Sequence, residues 1–303
     1  MSNDFDRREL LAIAGLTGLG VVFGSSIAPP AAAQGYGSGS AAPPEDFFFI
    51  QLADTHWGFN DKKVNPDAAG TFKKVIGAIN ALSRQPDFIA FTGDMIHTTD
   101  DRDERWRRMS DMREMIAMLK VKDVRFAPGD HDAQKDRGEA YQEFFGKLNY
   151  TFDHKGYHFI VLDNTSDPDQ KLGDAQIAWL AADLKQLKPA TPVVVLTHRP
   201  LFDLYRPWGW WTPDGDKALE LLRPFKATVF YGHVHHENHT TAMGAVHHAT
   251  ASLMIPLYPA GTRPERTMVP WNPAAPYRGM SWRTVSARGS GAAWDIGEQP
   301  VAG

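Results

Sequence analysis

The sequence contains no cysteine. That absence excludes disulfide bonds, cysteine-ligated zinc, iron–sulfur clusters, a cysteine nucleophile and a lipid-modified cysteine near the N-terminus. The sequence also lacks a G-x-S-x-G segment, the signature of the strand-to-helix turn that presents a nucleophilic serine. A serine hydrolase is therefore only a weak alternative for the chemistry of this chain.

A large excess of either charge is missing as well. The 303 residues carry a net charge of -4, so the chain has no signature of a polyanion-binding protein, and we expect no nucleic acid polymer as its partner. Hydrophobic residues make up 43% of the sequence. A chain of this length and composition can bury a sizeable core in one large domain or two small ones.

The apolar run near the N-terminus falls short of the roughly 20 residues that a membrane-spanning helix needs. This run, residues 10–23, follows Arg7-Arg8 and precedes Ala31-Ala32-Ala33, which has the A-x-A form of a signal-peptide cleavage site. We predict an export signal of the twin-arginine type over residues 1–33 and a flexible linker over 34–45. The protein would then be periplasmic or secreted, with no stable membrane span after cleavage. The alternative is an uncleaved membrane anchor.

Short apolar runs alternate along the rest of the chain with segments that have apolar residues at helical spacing. The runs at 47–53, 87–92, 124–127, 192–196 and 228–231 are typical of buried strands, and residues 65–83, 101–119, 138–148, 174–187 and 214–222 are typical of helices. Two predicted hairpins add antiparallel strands. The pattern predicts an α/β protein with mixed sheets. We assign the domain to residues 46–288 and expect a disordered tail over 289–303.

Each of these five strand-like runs is followed by aspartate or histidine. The segments are Asp54-Thr55-His56, Gly93-Asp94, Gly129-Asp130-His131-Asp132, Thr197-His198 and Gly232-His233-Val234-His235. Imidazole nitrogens and carboxylate oxygens are good ligands for zinc, manganese and iron. Taken together, the five strand ends predict a single metal site.

This ordered series resembles the calcineurin-like metallophosphoesterase family over roughly residues 46–286. The resemblance implies a four-layer α/β/β/α sandwich, in which two mixed sheets are flanked by helices, and a site for two metal ions (Fe, Mn or Zn). The implied ligands of the first ion are Asp54, His56, Asp94 and His235. Those of the second are Asp94, Asp130, His198 and His233, so that Asp94 bridges the two ions.

The resemblance also implies the reaction, which is hydrolysis of a phosphate mono- or diester by a hydroxide that bridges two metal ions. In this reaction His131 would protonate the leaving oxygen or stabilise its charge. Asp132 would orient the ring of His131. We expect a small phosphoester as the substrate.

Asp130 departs from the family pattern, which has asparagine at this position. The extra negative charge favours a trivalent ion such as Fe³⁺ at the second position and makes a bridging water harder to deprotonate. If the charge weakens the enzyme, Asp130→Asn should raise its activity on generic phosphoesters. The alternative to an enzyme is a metal-binding or partner-binding protein with little or no catalysis on the same scaffold.

Five residues near the predicted ligands are candidates for contact with the substrate: His97, Arg199, Trp208, Trp210 and Trp211. The alternative for His97 is a helix-capping or solvated side chain, and the alternative for Arg199 is an ion pair with a carboxylate. The tryptophans belong to an aromatic loop, residues 201–213, which would either stack on the substrate or fold onto its own hydrophobic surface.

Overall fold

The computed structural model describes residues 45–225, 227–288 and 294–302. The predicted export signal and the predicted linker up to residue 44 lie outside this range. Within the described residues, no helix has the length and apolar character needed to cross a membrane.

The strands form one five-stranded and one six-stranded sheet. They are β1 (Phe47–Leu52), β2 (Phe88–Thr92), β3 (Val124–Ala127), β4 (Tyr150–His154), β5 (Tyr157–Val161), β6 (Val193–Leu196), β7 (Thr228–Tyr231), β8 (Asn238–Ala242), β9 (Ala245–Ala249), β10 (Ser281–Ala287) and β11 (Trp294–Pro300). The strand orders are β11-β10-β1-β2-β3 and β4-β5-β6-β7-β9-β8. In the first sheet β1, β2 and β3 are parallel, and in the second β5, β6, β7 and β9 are parallel. The remaining strands are antiparallel, so both sheets are mixed as predicted.

Except for the single turn at Asp130–Ala133, which was not predicted, the helices begin and end within a few residues of the predicted positions. They are α1 (Ala68–Asn80), α2 (Arg102–Ala117), a single turn α3 (Asp130–Ala133), α4 (Glu139–Phe145), α5 (Asp174–Leu184) and α6 (Gly215–Leu222). The start of α2 has a clear local cause, because the side chain of Asp101 accepts a hydrogen bond from the Glu104 backbone N–H at 3.0 Å. This cap satisfies one of the free N–H groups of the first turn.

The protein is the four-layer α/β/β/α sandwich that the family resemblance implied, and apolar side chains fill the three spaces between its layers. Aromatic side chains fill the layer between the sheets, where Phe49 stacks on Phe88 with ring centroids 4.9 Å apart. On the outer face of the first sheet, α1 and α2 bury side chains such as Val75 and Met112. Helices α5 and α6 cover the second sheet with side chains such as Leu180 and Leu219. Each such buried side chain contributes about 1.5–3 kcal/mol of transfer free energy.

The prediction of a disordered tail is wrong for residues 294–300, which form the edge strand β11. This strand pairs antiparallel with β10 along its whole length. Trp294 and Ile296, two residues apart, both pack against the layer between the sheets. The Nε1–H of Trp294 also donates to Thr228 Oγ1 at 3.0 Å. The domain therefore extends to residue 300. The strand was not predicted because only Trp294 and Ile296 follow the alternation of apolar and polar residues, and the rest of β11 is mostly polar.

An ion cluster around the buried ring of His158 connects β4, β5 and α5. The ring lies 2.7 Å from Asp153 Oδ1 through Nδ1 and 2.9 Å from Asp183 Oδ2 through Nε2. Burial lowers the pKa of His158, but the two carboxylates outweigh it and raise the pKa to about 9. The native state therefore holds an imidazolium between two carboxylates.

We expect this cluster to make stability depend on pH. Because an unfolded histidine has a pKa of about 6.5, the stabilisation is fully present below that pH and is lost as pH rises through the folded value of about 9. The loss should be roughly 3 kcal/mol and should disappear in His158→Gln. The measurement is urea denaturation between pH 6 and 9.5. The exposed His239 provides the control variant His239→Gln, which should keep the wild-type pH dependence. An unchanged pH dependence in His158→Gln would contradict the assignment.

Candidate metal centre

The five predicted ligand segments meet at one end of the sandwich, directly after β1, β2, β3, β6 and β7. Parallel strands place their carboxyl ends on the same edge of a sheet. Backbone hydrogen bonds join neighbouring segments there, from Asp54 N–H to Gly93 O at 3.0 Å and from Gly232 N–H to His198 O at 3.1 Å. The fold thus brings all the predicted metal ligands together.

Most of the ligand residues have a strained backbone. The φ angles are +55° at Asp54, +44° at His56, +53° at Asp94, +67° at His233 and +59° at His235. Residues other than glycine rarely occupy this left-handed region, and they tend to do so at functional sites. The strain turns the side chains of consecutive segments toward a common centre.

Two glycines beside the ligands are required by close packing. A Cβ atom at Gly129 would lie 2.0 Å from the backbone nitrogen of Asp94. At Gly93, where φ is +91°, a Cβ atom would lie 2.3 Å from His198 Nδ1. These glycines let the ends of neighbouring strands approach closely enough for their ligands to share one site.

The first group of ligand atoms comes from Asp54, His56, Asp94 and His235. His235 Nε2 lies 3.1 Å from Asp54 Oδ1 and 3.2 Å from His56 Nε2. His56 Nε2 lies 3.6 Å from Asp94 Oδ2. Ligand atoms about 2.1 Å from a single ion are themselves about 3 to 3.4 Å apart. The four side chains therefore fit one metal ion.

The second group comes from Asp130, His198 and His233. Asp130 Oδ1 lies 3.0 Å from His198 Nε2 and 2.9 Å from His233 Nδ1. In spite of these distances, this buried oxygen makes no hydrogen bond of acceptable geometry among the described residues. Its position suits an ion shared with the two rings. Asp94 Oδ2 lies 3.3 Å from His198 Nε2, so one carboxylate oxygen adjoins both groups.

Backbone carbonyls orient two of the ligand histidines. The Nδ1 atom of His198 donates to Thr92 O at 2.8 Å, and that of His235 donates to Ile255 O at 2.5 Å. With Nδ1 held by a carbonyl, the Nε2 atom of each ring faces the site and is the atom that a metal ion would bind. These contacts could not be predicted from the sequence, because every residue has a backbone carbonyl and no side chain marks the ones that face a histidine.

His233 is held differently from the other rings. Its Nδ1 faces Asp130, and its Nε2 accepts a hydrogen bond from the Arg199 guanidinium at 3.1 Å. In this arrangement the neutral ring carries its proton on Nδ1. A cation that binds Nδ1 must displace that proton.

The protonation of the histidines follows from burial and from the nearby carboxylates. Burial lowers the pKa of His56 well below its usual value and that of His233 to about 3, so both rings are neutral, the form that binds metals. Burial also opposes charge on His198, but Asp94 and Asp130 raise its pKa well above the usual value. The protonated His198 supplies positive charge that a bound cation would replace.

His131 lies at the mouth of the site, and its ring is fixed by the backbone. The Thr98 N–H donates to His131 Nδ1 at 3.0 Å, and Nε2 lies 4.0 Å from Asp94 Oδ2. His97 also lies in the site, where its Nδ1 is 3.4 Å from that of His56 and its ring centroid is 4.9 Å from that of His131. Burial, followed by the neighbouring His131, lowers the pKa of His97 to about 4. His97 is therefore neutral.

The prediction that Asp132 orients His131 is wrong. The carboxylate of Asp132 accepts hydrogen bonds from the backbone N–H groups of Met95, Ile96 and Gly129 at 2.9–3.1 Å. Burial and the charge of Asp94 raise the pKa of Asp132 to about 8, while the three N–H donors favour its charged form. Asp132 joins the loops that follow β2 and β3.

The aromatic loop folds onto its own hydrophobic surface. Trp210 is fully buried and Trp208 is 8% exposed, and both pack with Phe59, Val64 and Met254. The prediction that they form a platform for the substrate is therefore wrong. Trp211 is partly exposed, with the Arg206 guanidinium stacked 3.9 Å from its ring centroid.

Comparisons with known proteins agree with this architecture. The family model described as calcineurin-like phosphoesterase matches residues 49–237. A dimetal phosphatase from Danio rerio is 15% identical with a TM-score of 0.59, over 84% of this chain and 96% of that one. GAP50, the anchor in the inner membrane complex of Plasmodium, is 13% identical with a TM-score of 0.51, over 85% of this chain and 90% of that one. No curated protein sequence matches the chain.

We expect Asp132→Asn to destabilise the protein much more than the neighbouring variant His131→Ala. The amide keeps one acceptor oxygen but turns its NH₂ group toward backbone N–H donors. Loss of hydrogen bonds to this buried side chain, with an NH₂ group facing N–H donors, should lower the free energy of unfolding by about 3 kcal/mol. His131→Ala should change it by less than about 1 kcal/mol. The measurement is denaturant unfolding of the metal-free protein. Equal, small effects would support the ring-orienting role instead.

Proposed function

The chain belongs to the calcineurin-like phosphoesterase family, and we propose that this phosphoester hydrolase uses two metal ions to cleave a small phosphate mono- or diester outside the cytoplasm. The observation that carries the two-ion proposal is the position of Asp94. Its Oδ2 atom lies 3.6 Å from His56 Nε2 and 3.3 Å from His198 Nε2, and each of these atoms belongs to a separate ligand group.

The residues present fit two such ions. Asp54, His56 and His235 would hold one ion, Asp130, His198 and His233 would hold the other, and Asp94 would contact both. When bound, a metal pair activates water as a nucleophile and withdraws charge from phosphoryl oxygens. Manganese, zinc and iron all accept this mixture of imidazole and carboxylate ligands.

His131 acts in this proposal as a hydrogen-bond donor that stabilises negative charge. Because its Nδ1 accepts from Thr98 N–H, the N–H of the ring is on Nε2, on the side of Asp94. With Nδ1 engaged as an acceptor, Nε2–H is the one N–H of the ring, and the ring is arranged to donate it as a hydrogen bond. Of the two roles open to His131, stabilisation of a phosphoryl or leaving oxygen is therefore favoured over proton donation.

Export by the twin-arginine route is a separate part of the proposal. It is supported by Arg7-Arg8, the apolar run at 10–23 and the A-x-A-like segment Ala31-Ala32-Ala33. Because this route carries folded proteins, a metal site could be filled before export. The absence of cysteine is compatible with an oxidising compartment.

We expect the mature protein to bind two ions per chain and to hydrolyse a chromogenic monoester or diester after loading with Mn²⁺, Zn²⁺ or iron. Asp94→Asn should bind fewer than two ions and lose at least about 10³-fold in kcat/KM, because it weakens both positions. His131→Ala should keep both ions and lose roughly 10²–10³-fold in kcat. Activity and bound metal are measured in the same samples.

Asp87→Asn is the matched control for this experiment. Asp87 precedes the start of β2, whereas the ligand Asp94 follows its end, and Asp87 pairs with Lys155 and His154. It should leave both metal content and turnover unchanged. Two bound ions without turnover of either ester would favour the alternative, a non-catalytic or weakly catalytic metal-binding or partner-binding protein. Failure to bind any metal would refute the proposed function.

Replacement of Arg7-Arg8 by two lysines should abolish export, because the twin-arginine route depends on the arginine pair. The measurement is fractionation of bacterial cells that have this route and express the full chain. The wild-type chain should be recovered outside the cytoplasm and the lysine variant inside it. Equal distribution of the two would contradict this route. A chain retained in the membrane fraction would indicate the uncleaved anchor.

A further inference from the structure

We propose that Arg199 is a positioning residue that balances the extra negative charge of Asp130 and keeps the second metal position selective for divalent ions. The inference rests on the proposed two-ion function and assigns Arg199 a role other than contact with the substrate. It connects two residues that are far apart in the sequence. One is Asp130, where the family pattern has asparagine, and the other is Arg199, which follows His198.

The guanidinium of Arg199 lies beside the second ligand group. Its Nη1 atom is 4.0 Å from Asp130 Oδ1 and 3.1 Å from His233 Nε2. Arg199 is only 3% exposed. A buried pair of opposite charges at this distance interacts far more strongly than an exposed pair, because little water screens it. No other arginine or lysine forms an ion pair with Asp130 within the described residues.

The aromatic loop holds this guanidinium in place. Nε donates to Trp211 O at 3.3 Å, and Nη2 donates to Trp211 O at 3.2 Å and also to Gly209 O. These bonds together with the one to His233 occupy most of the five guanidinium N–H donors. Few donors are left for a phosphate, so the ion-pair alternative for Arg199 fits the geometry better than contact with the substrate.

The loop is in turn anchored to the core and to the backbone of Arg199. The side-chain amide of Asn164 donates to Arg199 O and to Thr212 Oγ1, both at 2.9 Å, and Thr212 Oγ1 donates to Pro200 O at 2.8 Å. The buried rings of Trp208 and Trp210 pack beneath the loop. The aromatic residues therefore fix the backbone carbonyls that hold Arg199.

A count of formal charges shows the consequence. Asp54, Asp94 and Asp130 bring three negative charges to the two ligand groups, and Arg199 returns one positive charge. The site then has the same net charge as a site with asparagine at position 130 and no arginine. Asp130 alone would favour a trivalent ion at the second position, but Asp130 with Arg199 removes that preference. The same balance reverses the effect expected of Asp130→Asn, which would leave Arg199 uncompensated beside the cation.

The test is a double-mutant cycle with Asp130→Asn, Arg199→Gln and the double variant. The second Mn²⁺ affinity is measured by isothermal titration, and competition with the redox-inert trivalent ion Ga³⁺ is measured on the same proteins. Asp130→Asn should weaken the second Mn²⁺ at least about tenfold, and the double variant should return to within about threefold of wild type. Arg199→Gln should shift the competition toward Ga³⁺ at least about tenfold.

Two further variants serve as controls. Arg206→Gln also removes one positive charge, from the loop that holds Arg199. Because Arg206 is exposed and pairs with Asp203, this variant should leave metal preference unchanged. Arg199→Lys keeps the charge and should keep the preference for Mn²⁺ over Ga³⁺. If Arg199→Gln does not fold, Asp130→Asn still tests the balance, because it alters no contact with the loop carbonyls.

Additive effects in the cycle would overturn the inference while leaving the proposed function intact. Unchanged metal preference in Arg199→Gln, combined with a rise in KM for the phosphoester, would also overturn it and assign Arg199 to the substrate. Absence of metal binding by the wild-type protein is the distinct result that would overturn the proposed function, and this inference with it.

Discussion

The structure depends on the convergence of buried carboxylates at the ends of the strands. Asp54, Asp94 and Asp130 approach one another where little water is available to screen their charges. Such an arrangement is unfavourable unless positive charge is supplied, and a metal pair supplies it most effectively. The left-handed backbone at the ligands and the close packing at Gly93 and Gly129 hold these side chains together.

Positive charge already present in the protein offsets part of this repulsion. His198, raised to the cationic form by Asp94 and Asp130, occupies the middle of the site, and Arg199 lies at one side. Metal binding would affect these two positively charged side chains differently. His198 can lose its proton and become a ligand, whereas a guanidinium keeps its charge. Arg199 thus remains a permanent part of the electrostatics of the second position.

The strands and helices were predictable because their apolar periodicity is local. The ends of β1, β2 and β3 lie within a residue or two of the predicted positions. The edge strand β11 was missed, because an edge strand needs only a few inward side chains and its other residues are polar. The role of Asp132 was also misassigned, since adjacency to His131 in sequence says nothing about which backbone N–H groups face a side chain.

The sequence by itself determined the set of candidate ligands and the class of chemistry. Each ligand follows a strand directly, so five local patterns were enough to predict that they meet. Only the tertiary structure decided how the ligands are oriented and what surrounds them. The carbonyls of Thr92 and Ile255 that orient two histidines have no side-chain signature. Likewise Arg199 and Asp130 are 69 residues apart, and they pair because β3 and β6, which precede them, belong to two stacked sheets whose strands finish at the same end of the sandwich.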